Sequence, residues 1–91
     1  SGEESPAQIK MRAVRLGATV GPSADNLLVL AETSVERILE QAEQIEPGVL
    51  VIDSIQTVFL EQLASAPGSV SQVREAAAAL VTWAKRHDVP V

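Results

Sequence analysis

Val49-Leu50-Val51-Ile52-Asp53 is the stretch on which the reading of this chain turns: four consecutive apolar residues, three of them β-branched, ending on an acid. A short apolar run without polar alternation is the pattern of a strand covered on both faces, as in a parallel sheet packed between helices. Leu27-Leu28-Val29-Leu30 repeats the pattern upstream, and Val89 and Val91 read as the first residues of one more strand. Parallel strands are therefore expected at about 27–31 and 49–55, within a few residues.

The segments between these runs carry helical period and helix signals. Ser5-Pro6-Ala7-Gln8 offers a capping serine, a proline at the first helical position and the glutamine of a capping box; Ile9, Ala13 and Leu16 then share a face, and Gly17 supplies a stop. A loop with Gly21-Pro22-Ser23 follows. Thr33 to Glu36 offers a second capping box, after which Val35, Ile38, Leu39, Ala42 and Ile45 keep the period until Pro47-Gly48. Residues 60–68 read as a loop with Ala66-Pro67-Gly68 at its tip. Ser69 and Gln72 open a third helix, whose apolar positions Val73, Ala76, Ala77, Leu80, Val81 and Ala84 run toward His87. Strands alternating with helices predict an α/β fold, a parallel sheet with flanking helices and right-handed crossovers.

Bulk properties narrow the class. With 91 residues the chain makes at most one small domain, one that buries roughly 60–70% of its unfolded surface. Hydrophobic residues make up 46% and charged residues 21%, a globular composition, but only 2% are aromatic, so Leu, Ile, Val and Ala must fill the core. Twelve acidic against seven basic residues give a net charge of −5, the wrong sign for a solitary nucleic-acid binder. Any DNA contact would have to be local. The chain has no cysteine, hence neither disulfide nor thiolate metal site, which fits a reducing cytoplasm. Neither a membrane span nor an export leader is expected from its apolar runs. Abrupt ends, a polar Ser-Gly-Glu-Glu start and a stop at the beginning of a strand, read as those of a fragment.

Few residues can carry chemistry. An acid closing a buried strand sits where open α/β sheets place ligands, so Asp53 could hold Mg²⁺ through its water shell beside nucleotide phosphates. An ordinary strand-end aspartate reads the same way. Glu3 and Glu4 precede a helix start, where negative charge is favourable in itself; a carboxylate there could also orient and deprotonate an attacking water. Ser54, Gln56 and Thr57 could relay hydrogen bonds from phosphates, or simply leave a strand. His87, alone near a helix C-terminus, is given no role, and Trp83 at helical spacing reads as packing. There is no glycine-rich loop ending in Gly-Lys-Ser/Thr, no metal-ligand cluster and no nucleophile–histidine pair.

Longer words in the chain are more specific than its spacing. Ser1-Gly2-Glu3-Glu4-Ser5, Gln8-Ile9-Lys10-Met11-Arg12-Ala13, Arg15-Leu16-Gly17, Ala31-Glu32-Thr33, Val51-Ile52-Asp53-Ser54-Ile55-Gln56-Thr57 and, above all, Ser65-Ala66-Pro67-Gly68-Ser69-Val70-Ser71-Gln72-Val73-Arg74-Glu75 resemble, in order and without gaps, an internal stretch of the RecA-like ATPase domain of the bacterial RadA (Sms) family. One departure is Ala76, where that family often has Cys or Thr, a matter of packing. The resemblance implies a RecA-like P-loop NTPase core fragment over residues 1–91, with Val49–Asp53 as its Walker B strand. It implies Asp53, with Ser54, at the Mg²⁺–ATP site and Glu3 as water activator, Glu4 being the competing choice. It implies that the loop before Ser69 matches the first DNA-binding loop of RecA-like recombinases, so that Ser65, Gly68, Ser69 and Arg74 face single-stranded DNA.

Such proteins are homo-hexamers that work beside the RecA recombinase and promote branch migration. Their phosphate-binding loop, N-terminal zinc module (the one place zinc enters) and C-terminal Lon-like domain are not in this sequence, so the fragment itself is expected to be inactive. Two other classes were open on the residues alone: a non-catalytic, receiver-like signalling module and an α/β module kept for oligomerisation. A receiver would want further acids at the end of its first strand and a lysine after a later one, and neither is visible. Retention of both Glu3 and Asp53 argues against the second.

Overall fold

A computed structural model of the chain describes residues 5–8 and 27–91. Residues 6–8 are helical, and the expected capping box is formed: the Ser5 N–H donates to Gln8 Oε1 at 3.0 Å and the Gln8 N–H to Ser5 Oγ at 3.2 Å. The remainder of that expected helix, Ile9 to Gly17, and the Gly21–Ser23 loop lie outside the described residues. Two further helices follow, α1 (Val35–Ile45) and α2 (Val70–His87).

Helix α1 starts one residue later than the Thr33 capping box predicts. Its N-cap is Ser34, whose Oγ accepts from the Arg37 N–H at 3.4 Å. The reason is non-local. Thr33 is held extended by its carbonyl, which accepts the Phe59 N–H, while the Val35 N–H donates to the Phe59 carbonyl, both at 2.9 Å. These bonds make an isolated parallel bridge between Ser34 and Phe59. Glu36 reaches the cap only through the Ser34 hydroxyl, which donates to its Oε1 at 3.4 Å, and it also accepts the Glu61 N–H on both carboxylate oxygens, at 3.2 and 3.0 Å. The helix ends where Glu46 turns left-handed (φ 54°) and its N–H bonds the Ala42 carbonyl, just ahead of Pro47.

Helix α2 runs as expected from its Ser69 cap to His87, with Lys85, Arg86 and His87 favourably placed in its last turn. Its buried face differs from the apolar stripe. Gln72, Ala76, Leu80 and Trp83 are buried, while Val81 is exposed. Gln72 rotates the stripe by about one position, because a carboxamide in this interior needs hydrogen-bond partners and finds them in the backbone of 60–65. Val35, Ile38, Val58, Leu60, Ala76 and Leu80 form the core, with Leu39, Leu50, Ile52, Ile55, Leu63 and Ala79 packed against it. Ala76 is fully buried, consistent with a packing role. Trp83 is likewise a packing residue, stacked on His87 with centroids 4.5 Å apart; its buried Nε1–H has no partner. His87 ties the helix ends, Nδ1 lying 3.0 Å from the Trp83 carbonyl and Nε2 3.6 Å from Glu43.

The expected parallel sheet is not formed among the described residues, where the Ser34–Phe59 bridge is the strand pairing present. Residues 27–33 and 49–52 carry no regular structure. Leu28 is 64% exposed, Val49 62% and Val51 79%. A strand covered on both faces needs neighbours on both sides and layers above and below; among the described residues no ladder of that kind forms along the apolar runs. One link of the expected kind exists, the Leu50 N–H donating to the Pro90 carbonyl at 2.9 Å, which lays 49–51 beside the last residues.

Glu32 precedes the bridge and accepts the Thr33 N–H at 3.0 Å and the Ser34 N–H at 3.1 Å through Oε1. Backbone bonds from Ser34, then Thr33, hold its carboxyl below the ordinary carboxylate value. A depressed carboxylate pKa stabilises the fold above the unfolded value, about 4.3, and that contribution is lost as pH falls through the folded value. The stability gap between the protein and its Glu32→Ala variant is therefore expected to be constant above about pH 5 and to narrow below it. Denaturant titrations across pH check this; a gap that widens on acidification would contradict the assignment.

Candidate functional site

Asp53 closes the Val49–Ile52 run and is exposed. Beyond it the chain knots immediately. The Thr57 hydroxyl donates to the Ser54 carbonyl at 2.8 Å, the Thr57 N–H reaches the same carbonyl at 3.0 Å, and the Ser54 N–H donates to Thr57 Oγ1 at 3.3 Å. The Asp53–Ser54 peptide is cis. Thr57 thus spends its hydroxyl within the turn, which places the carboxylate of Asp53 at the edge of a fixed loop. No group of three or more His, Cys, Asp or Glu among the described residues could hold a metal ion. A single exposed carboxylate could hold Mg²⁺ only as an ion that keeps most of its water, the role anticipated for Asp53. Glu3 and Glu4 lie outside the described residues.

Residues 60–69 form the anticipated loop. Few of its bonds are internal: the Leu63 N–H donates to the Leu60 carbonyl and the Ser69 N–H to the Ala66 carbonyl, both at 3.2 Å. Glu36 holds the Glu61 N–H, and Gln72 supplies most of what remains. Its Oε1 accepts the Leu60 N–H at 2.9 Å, and its Nε2 lies 3.3 Å from the Leu60 carbonyl, 3.4 Å from that of Leu63 and 2.8 Å from that of Ser65. Ser65 Oγ meets Ser71 Oγ at 2.7 Å, and Ser69 Oγ accepts the Gln72 N–H at 3.3 Å. Ser65, Ser69 and Ser71 are so gathered at the start of α2.

Gly68 at the loop tip has φ +83°, a left-handed conformation that side chains resist, and a Cβ there would stand 3.3 Å from the Gln56 carbonyl oxygen. The tip therefore rests on the turn that follows Asp53. Arg74, in the second turn of α2, is exposed and makes no ion pair with any described residue. Glu61, a nearby acid, pairs with Arg37 instead at 3.7 Å, an exposed contact worth about 0–1 kcal/mol. The geometry thus joins Asp53 to Gly68 through Gln56, and Ser65, Ser69 and Gly68 to one loop. Gln72, which organises that loop, was read only as part of a helix start. The available signal was a polar residue at 72 on the same stripe as 76, 80 and 83.

No protein-family model matches the chain. Across all 91 residues it is 56% identical to DNA repair protein RadA of Pseudomonas aeruginosa, a match that covers 100% of this chain and 19% of that protein. It is 50% identical over 91 residues to the proteins of the same name from Haemophilus influenzae and Bacillus subtilis, with the same coverage. The chain belongs to the DNA repair protein RadA family, as a segment that spans about one-fifth of the length of these relatives. No helix among the described residues is long and apolar enough to cross a membrane.

Gly68 combines a positive φ with a close backbone neighbour. Gly68→Ala is therefore expected to cost about 1–2 kcal/mol from the left-handed conformation, more if Gln56 cannot give way. Chemical denaturation of the two forms measures it; an unchanged midpoint would place the loop tip elsewhere.

Proposed function

We propose that this chain is the part of a DNA-dependent ATPase that joins its Mg²⁺–ATP site to its single-stranded-DNA loop. The whole protein would act in recombinational DNA repair as a homo-hexamer that promotes branch migration alongside the RecA recombinase. Identity of 50–56% across all 91 residues to proteins named DNA repair protein RadA supports the DNA-repair setting. The observation that carries the mechanistic reading is the seat of Gly68 on Gln56, three residues past Asp53. It sets the acid and the DNA-facing loop on one continuous piece of backbone.

In this reading the apolar runs at 27–31 and 49–55 are strands of the parallel sheet of a RecA-like core, and their bare faces are where that sheet's other parts pack. ATP bound with Mg²⁺ supplies the γ-phosphoryl group that water attacks. Glu3 would accept the proton of that water, with Glu4 the competing choice, while Asp53 would hold the ion through its water shell and Ser54 would lie at the nucleotide site. Gly68 permits close backbone approach, the N–H groups opening α2 at Ser69 offer donors to a phosphate, and Arg74 adds a charge-assisted contact. Because the 91 residues contain no Gly-Lys-Ser/Thr loop, the segment alone is expected to be inert, so the tests use the full-length protein.

Glu3→Gln keeps size and polarity but removes the proton acceptor. It is expected to lower ATP turnover by roughly 10²-fold or more while leaving ATP affinity nearly intact. Asp53→Asn is expected to impair the Mg²⁺-dependent steps. If Glu4→Gln is the slow variant, the activator is the neighbouring residue; normal turnover in both glutamate variants removes the mechanism.

Phosphate contacts do not read sequence. Arg74→Ala is expected to weaken single-stranded DNA binding evenly across sequences and to flatten the salt dependence by roughly 0.7 units. Affinity against salt, measured on an intact assembly, decides this, and an unchanged affinity and slope takes Arg74 out of the DNA site.

A further inference from the structure

We propose that Gln72 is the positioning residue of the DNA-facing loop: its buried carboxamide pre-orders residues 60–65 so that Ser65, Ser69 and Arg74 meet a nucleic-acid strand without first being ordered by it. The inference rests on the reading of that loop as DNA-facing. Three observations lead to it. Gln72 is 1% exposed and is, with Val35, one of the largest fully buried side chains among the described residues. Its carboxamide meets only loop backbone: Oε1 accepts one N–H, and the two hydrogens of Nε2 are shared among three carbonyls within 3.4 Å. Apart from the buried Leu60, the Glu61 N–H on Glu36 and the seat of Gly68 on Gln56, little else holds the loop, since Ala64, Ala66, Pro67 and Gly68 are exposed and Leu63 is only partly buried.

An apolar residue of similar size would fill the same space in α2. The carboxamide does something such a residue cannot, which is to fix the direction of three loop carbonyls, those of Leu60, Leu63 and Ser65. With the Ser65 carbonyl held at 2.8 Å, the Ser65 hydroxyl comes to lie 2.7 Å from Ser71 on the first turn of α2. A loop already in its bound form does not lose further conformational freedom on binding, whereas an unpinned one does. Gln72 touches no nucleic acid in this arrangement. It acts through the loop.

The experiment compares Gln72→Met and Gln72→Glu in the full-length protein. Methionine keeps length and approximate volume and deletes donor and acceptor together. Glutamate keeps the acceptor for the Leu60 N–H and deletes only the Nε2 donor. Hydrogen exchange across residues 61–65 of the free protein reports the pin without reference to DNA. Anisotropy of a labelled oligothymidylate at several salt concentrations reports binding, with melting temperature and assembly size followed alongside. Both variants are expected to exchange faster in the loop and to bind DNA roughly tenfold more weakly, from the restored freedom of the loop. The salt slope should be that of the parent, because no phosphate contact is removed. That unchanged slope separates positioning from contact, since Arg74→Ala is expected to change it.

Loop exchange as slow as in the parent would overturn the proposal. So would faster exchange with unchanged DNA affinity in a protein whose Arg74→Ala variant does bind DNA less well. If neither the Gln72 nor the Arg74 variants alter DNA binding, the DNA reading of the loop fails and the proposal with it. Loss of the fold in both Gln72 variants would also count against it, by making the residue a requirement of the core.

Discussion

The side chain of Gln72 lies in the middle of the core with the backbone of residues 60–65 wrapped around its carboxamide. Leaving a buried donor or acceptor unpaired costs about 1–3 kcal/mol, so a polar group here is tolerated only when the loop adopts one conformation. The constraint runs both ways. The loop is shaped by the side chain, and the rotation of α2 is set by the need to aim that side chain inward, which is why Ala76, Leu80 and Trp83 face the core and Val81 does not. Burial of Leu80 and its neighbours then adds about 1.5–3 kcal/mol for each large apolar side chain, but the choice of face belongs to Gln72.

The segment just before the loop is secured from the other side. Phe59 exchanges backbone bonds with Thr33 and Val35, and Glu61 donates its N–H to Glu36, so residues 58–61 are stitched to the start of α1 while Gln72 stitches 60–65 to the start of α2. Val58 and Leu60 are buried between the two helices as a result. The N-termini of both helices converge on one stretch of extended chain. This joint is built mainly from backbone hydrogen bonds, which are directional and leave little room for sliding.

Those joints explain which features could be read from residues alone. Helix ends governed by neighbours in sequence were legible: the Ser5–Gln8 box, the Ser69 cap, the stop before Pro47 and the run of α2 to His87 all depend on groups a few residues apart. Thr33 was misread because its carbonyl belongs to Phe59, a partner that no local pattern announces. The apolar runs at 27–31 and 49–55 announce strands, yet 27–31 and 49–52 carry no regular structure and the chain bends at 53 and turns from 55; pairing depends on what lies alongside, and Leu28, Val49 and Val51 are exposed. Asp53 was legible as a candidate because an acid closing an apolar run stands out. Gln72 was not, because Ser69 three residues earlier already explained a glutamine as part of a helix start, which masked its place on the stripe of 76, 80 and 83.

The same geometry gives the region after Asp53 its mechanical character. Thr57 closes a turn on Ser54 with both its hydroxyl and its N–H, so the chain leaving the acid is stiff for four residues. Gln56 lies within that turn, and its carbonyl is the surface on which Gly68 rests. A displacement at Asp53 would therefore be carried by a braced turn rather than absorbed by slack chain, and it would arrive at the loop tip across a single backbone contact. On the far side the loop is held by Gln72, so it cannot simply move away. The loop has two supports, one at its tip on Gln56 and one at its base on Gln72. Only the first is continuous with the acid, so a shift there would tilt the tip about a fixed base.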